Sequence, residues 1–103
     1  MNELIEITGT ITDVLPLQLD GKGFIVHDVI LDNVTSIRNN TLIRSRVHLI
    51  ARVLQTEGAI DFKVNNPITV RGVFLPGNQD TLDTIHMAHA PNGFIRYSGK
   101  IYR

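Results

Sequence analysis

His86 and His89 stand three residues apart in Ile85-His86-Met87-Ala88-His89, and imidazole nitrogens are common metal ligands. Their surroundings read as a strand, however, and on a strand residues three apart point to opposite faces. Only a bulge between them would bring both to one ion. The chain has no cysteine, no His-x-His and no Glu-x-x-His spacing, so neither a metal nor a cofactor is expected. One of the two histidines is expected to hydrogen-bond beneath a C-terminal hairpin and the other to be exposed. His27 and His48 stand alone in strand-like or amphipathic contexts and are assigned no role. Ser36, Ser45 and Ser98 lie in no nucleophile-elbow context, and no glycine-rich phosphate loop precedes a helix. The pattern therefore points to a non-catalytic protein.

The cations have a more suggestive arrangement. Residues 33–56 hold Arg38, Arg44, Arg46 and Arg52 with no acid, and residues 84–103 hold Arg96, Lys100 and Arg103 with no acid. Between and before them lie acidic stretches, with Glu3, Glu6, Asp13, Asp20, Asp28 and Asp32 against Lys22 alone in residues 1–32. If folding gathers the two basic blocks, one face is positive and suits a polyanion; the competing expectation is ordinary solvated strand faces. Nucleic-acid binding also needs aromatic surfaces for base stacking. Phe24, Phe62 and Phe74 read as core, which leaves Phe94, Tyr97 and Tyr102, and the two tyrosines equally suit packing of a terminal hairpin.

The elements that must position these residues are mostly strands. Residues 4–14 alternate, with Ile5, Ile7, Gly9 and Ile11 on one side and Glu6, Thr8, Thr10 and Thr12 on the other. Gly9 at the centre predicts a bulge or tight bend. Leu15-Pro16 ends this strand, and Asp20-Gly21-Lys22-Gly23 is a turn. Phe24–Leu31 is apolar on both faces and reads as a central strand closed by Asp32-Asn33. Residues 41–56 fit two patterns. A helix would stack Ile43, Val47, Ile50 and Leu54; a strand would alternate Ile43, Val47 and Leu49 with Arg44, Arg46 and His48. The compromise is a strand ending near Val47 and a short helical stretch to about Gln55. Ile60, Phe62 and Val64 alternate before an Asn65-Asn66-Pro67 turn. Residues 68–75 form a strand containing Gly72, Pro76–Asp80 a hairpin loop, and residues 84–89 the last long strand, followed by the Pro91-Asn92-Gly93 turn.

The 103 residues accommodate one domain and one core. Zero net charge removes any global field toward nucleic acid or a membrane surface, and no apolar run reaches the ~18 residues of a membrane helix. The first six residues lack the basic and apolar regions of a signal peptide. The compartment stays open: cytoplasmic for a complete chain, periplasmic if a leader has been trimmed.

Two segments resemble the OB fold. Ile7-Thr8-Gly9-Thr10-Ile11-Thr12-Asp13-Val14-Leu15-Pro16 is similar to its glycine-interrupted first strand. Phe62-Lys63-Val64-Asn65-Asn66-Pro67-Ile68-Thr69-Val70-Arg71-Gly72-Val73-Phe74 is similar to its fourth-strand entry. The strand holding His86 and His89, followed by Gly93-Phe94-Ile95-Arg96-Tyr97-Ser98-Gly99-Lys100-Ile101-Tyr102, resembles the ending of a small bacterial OB-fold family of unknown function. Met87 stands where that family has an aromatic residue, and Phe94 where it has tryptophan. The resemblance implies an all-β, OB-like barrel of about five strands over residues 1–103, with a short helix or crossover before the fourth strand and a C-terminal hairpin. The leading functional expectation is a module binding single-stranded DNA or RNA through Arg38, Arg44, Arg46, Arg52, Phe94, Arg96, Tyr97, Lys100 and Tyr102. The alternative is a protein-interaction, self-associating or small-ligand module.

Overall fold

The computed structural model describes residues 3–36, 43–87, 89–90 and 93–94. Five long strands close into a barrel: β1 (Glu3–Val14), β3 (Phe24–Ser36), β4 (Val47–Leu54), β5 (Pro67–Leu75) and β6 (Asp83–Met87). A two-residue strand, β2 (Gln18–Leu19), pairs with β3 outside the barrel. β1 pairs with both β3 and β5, β5 with β6, β6 with β4 and β4 with β3, so the ring has no open edge. Every one of these pairings is antiparallel except β4–β6. This connectivity is that of a small OB-like barrel, in which the last strand inserts in parallel beside the third. A short hairpin follows, β7 (His89–Ala90) against β8 (Gly93–Phe94). Among the described residues no helix is long and apolar enough to cross a membrane.

Alternation decides what enters the core. Ile5, Ile7 and Ile11 of β1, Val29 and Leu31 of β3, Val47, Leu49, Ala51 and Val53 of β4, Ile68 and Val70 of β5 and Ile85 of β6 are almost entirely sealed from solvent. β-branched side chains dominate this set, and they pack well on a pleated surface. The predicted inward row of β1 is the observed one.

A strand this long must coil to belong to two neighbours, and bulges supply the bend. The β1–β3 register shifts between Thr8 and Thr10 and again between Ile11 and Asp13. At the first shift Gly9 faces two residues of β3, Asn33 and Val34, and Asn33 adopts a φ of 55°. A β-carbon on Gly9 would lie 3.0 Å from Val34 Cγ2 and 3.1 Å from the Asp32 carbonyl oxygen. The glycine therefore sits opposite the extra residue, which β3 itself carries.

Four local expectations need correction. β3 does not end at Asp32-Asn33; it carries Asn33 in a bulge with Val34 and runs to Ser36. The segment from Val47 to Leu54 is a strand, not a strand end followed by helix. Its outward Ile50, an apolar residue among the polar positions of the strand reading, stands opposite Asp28 across the pair to β3. Among the described residues helical structure is confined to one 3-10 turn, Gln55–Glu57, so the crossover to β5 is irregular. Within it Ile60 and Phe62 are buried, whereas Val64 is half exposed. Finally, Phe24 belongs to the outer face of β3 and not to the core, whereas Phe62 and Phe74 are buried.

Candidate interface on the outer face of β3 and β4

The outward residues of β3 and β4 form paired rows: Phe24 opposite Leu54, Val26 opposite Arg52, Asp28 opposite Ile50 and Ile30 opposite His48. The strand directions put the 15–23 loop at one end of this face and the 76–82 loop at the other. The result is an open surface flanked by two loops, with half-exposed Val26, Ile30 and Ile50 between charged groups.

At the first end Asp20 organises the turn. Its Oδ1 accepts from the backbone N–H of Lys22 and of Phe24, while its Oδ2 accepts from Arg52 Nε and Nη2 at 3.0 and 2.6 Å. Desolvation works against the charged carboxylate, but these donors outweigh it and hold the Asp20 carboxyl below its ordinary value. Thus tethered, the Arg52 guanidinium lies 4.0 Å above the Phe24 ring centroid, a cation–π stack. Its side chain keeps 47% of its exposure, so the stack is open to a ligand.

At the middle of the face His48 Nε2 lies 2.9 Å from Asp28 Oδ1. Farther along, Arg46 donates from Nε and Nη2 to the two oxygens of Asp32 at 2.7 and 3.1 Å. That fork-to-fork contact lowers the Asp32 pKa and raises that of Arg46. Arg44 faces the other loop: its Nη1 and Nη2 donate to the carbonyls of Thr81 and Asn78. Asp83, 5% exposed, accepts from the backbone N–H of Gly77 at 2.8 Å and of Arg44 at 3.1 Å. Asn78 Oδ1 accepts from the amides of Asp80 and Thr81, an Asx-type turn. The 76–82 loop is thereby shaped before any ligand arrives.

Among the described residues the arginines of the expected basic face do not stand free. Arg44, Arg46 and Arg52 come to one side of the barrel, but each is bound by a carboxylate or by loop carbonyls. Asp20, Asp28 and Asp32 share the surface with them. On β1 and β5, Arg71 likewise reaches Glu6. Part of the alternation of acidic and basic blocks along the chain becomes neutralisation between neighbouring segments, Arg46 with Asp32 and Arg52 with Asp20. That alternation was the available signal for the aspartates, which the sequence reading left out of the site. His86 is exposed on the outer face of β6, opposite Ile50 and Val73. Arg38, Arg96, Tyr97, Lys100 and Tyr102, and the side chains of His89 and Phe94, lie outside the described residues, as does most of the predicted Gly93–Tyr102 hairpin.

His27 is a core histidine. It is 3% exposed, its Nε2 accepts from the backbone N–H of Ile60 at 3.1 Å, and its ring meets Phe62 edge-on at 5.1 Å. Burial pushes its pKa below the ordinary value, against the weaker pull of Asp28. Comparison with known protein families, curated proteins and solved structures finds no match to this chain.

Proposed function

We propose that this protein is a non-catalytic binding module that contacts single-stranded nucleic acid on the outer face of β3 and β4. The observation that carries this reading is the Arg52–Phe24 stack at the open rim of the face. A planar guanidinium held over an aromatic ring offers a flat, delocalised cationic surface on which a base can stack, whatever its identity. The preformed 76–82 loop at the opposite end supports the reading, since OB-like barrels receive extended ligands across such a face between two loops. With Arg46 and Arg44 already neutralised, stacking rather than phosphate attraction dominates at this face.

Fluorescence anisotropy of labelled dT20 and U20 at about 50 mM salt tests it. Both Phe24→Ala and Arg52→Ala are expected to weaken binding by roughly tenfold, within the range that loss of one stacked base produces, with the far-ultraviolet circular dichroism of a β-barrel retained. No anisotropy change for the parent protein at low salt would overturn the reading.

One observation favours a protein partner instead. Leu15, Leu17 and Leu19 are 38%, 48% and 64% exposed, and among the described residues β2 pairs only with β3. Such an edge can accept an added strand from a partner or a second copy of this chain. A dimer dispersed by Leu17→Lys plus Leu19→Lys, in a protein that binds no oligonucleotide, would support this second reading.

A further inference from the structure

The three aspartates of the β3–β4 face are not engaged alike. Asp20 and Asp32 each have both carboxylate oxygens bonded to donors of this chain. Asp28 does not. Its Oδ1 meets His48 Nε2 at 2.9 Å, and among the described residues its Oδ2 has no partner. A carboxylate only accepts, so the His48 nitrogen facing it carries the proton and donates. The pair stands among half-exposed Val26, Ile30 and Ile50. The Asp28 and His48 side chains keep 19% and 29% of their exposure, so the free oxygen sits in a partly apolar setting that a ligand can reach.

We propose that Asp28 is a base-reading residue of this face, selecting bases that carry an exocyclic amino group over uracil and thymine. The proposal rests on the nucleic-acid reading above and adds a preference to it. Asp28 lies four residues along β3 from Phe24, about 14 Å, so it meets a different base from the one stacked at the rim. The amino group of cytosine, adenine or guanine donates to a carboxylate. Uracil and thymine offer one N–H, and it stands between two carbonyl oxygens that a carboxylate repels. Val26, Ile30 and Ile50 supply apolar cover for a ring beside that acceptor, while the same negative charge turns the phosphates away. His48 is a positioning residue: its N–H holds Oδ1 and so fixes where Oδ2 points.

Anisotropy of labelled dC20 and dU20 at about pH 7.5 and about 50 mM salt isolates this contact. The two oligomers differ only in the group at base position 4 and in the N3 proton that goes with it. The parent protein is expected to bind dC20 about tenfold more tightly, within the discrimination that base-edge contacts supply. Asp28→Asn, whose amide turns to present either an acceptor or a donor, is expected to bind the two alike, with affinity for dU20 no lower than the parent's. His48→Gln keeps an N–H for the carboxylate and is expected to retain the preference; His48→Val is expected to lose most of it. Failure of the parent protein to bind either oligomer would overturn the nucleic-acid reading and this proposal with it. Equal binding of both by the parent, or a preference that survives Asp28→Asn, would overturn this proposal alone. A preference unchanged in His48→Val would overturn the positioning role of His48.

Discussion

His27 shows how much one inward-pointing residue can decide. Its Nε2 accepts from a backbone N–H inside the core, so protonation there would set a donor against a donor and bury a charge. The folded state holds the imidazole neutral with a pKa below its ordinary 6.5, so the unfolded chain takes up the proton first. The His27 contribution to stability is therefore complete above about pH 6.5 and is lost as pH falls from there toward the folded pKa. Thermal melts between pH 5 and pH 8 should show the midpoint dropping on the acid side. His27→Gln should flatten that limb while lowering stability at pH 8 by about 1–3 kcal/mol. Asp20 and Asp32, with lowered pKa values, lose their contributions only below about pH 3.8, so the two effects set in at different pH. The sequence marked His27 as a lone histidine in a strand; its hydrogen bond spans 33 residues, and no local pattern encodes the Ile60 amide that it accepts.

Two elements depend on contacts that tolerate no added atom or lost acceptor. On β5, a β-carbon on Gly72 would strike the His86 carbonyl oxygen of β6 and lie 2.7 Å from Ile85 Cγ2. The nearest atom is backbone within a ladder and cannot swing aside. Gly72→Ala is expected to cost at least the 1–3 kcal/mol or so of an overpacked core, read from urea unfolding, and more than Gly9→Ala, whose nearest neighbour is a valine methyl. The 76–82 loop hangs on Asp83. Asp83→Ala removes the acceptor for the Gly77 and Arg44 amides, so hydrogen exchange at both should accelerate together. Exchange unchanged at either amide would show that the loop is shaped without Asp83. Loop 76–80 was legible from Pro76-Gly77-Asn78 as a turn. That Arg44, some 34 to 39 residues away, clamps it was not, because strand order decides that neighbour.

For the whole molecule, electrostatics balance twice: in total, with a zero formal charge and an isoelectric point near 6.9, and locally, through ion pairs between neighbouring strands. A protein without net charge repels its copies least. Solubility should pass through a minimum near pH 7 and rise toward pH 5 and pH 9, measurable by light scattering at fixed concentration. Most of the surface pairs are exposed and screened by salt, so stability itself rests on the sealed aliphatic interior. Leu49→Ala at the centre of β4 is accordingly expected to cost about 2–5 kcal/mol, far more than loss of the Arg46–Asp32 pair.

By itself the sequence determined an all-β chain, the inward row of β1 and most of the turns, since a two-residue period and glycine or asparagine signals act over a few residues; the five-stranded barrel was what the resemblance to the OB fold implied. The sequence also held the glycine opposite the bulge and the alternation of charge blocks. Only tertiary structure decided that residues 47–54 extend as a strand, because pairing with β3 on one side and β6 on the other holds them extended and seals Val47, Leu49, Ala51 and Val53 in the core. It decided as well that, among the described residues, Arg46 and Arg52 do not stand free. The fold lays Asp32 of β3 and Asp20 of the turn before it beside Arg46 and Arg52, and a charge so placed is neutralised before it can serve as a site.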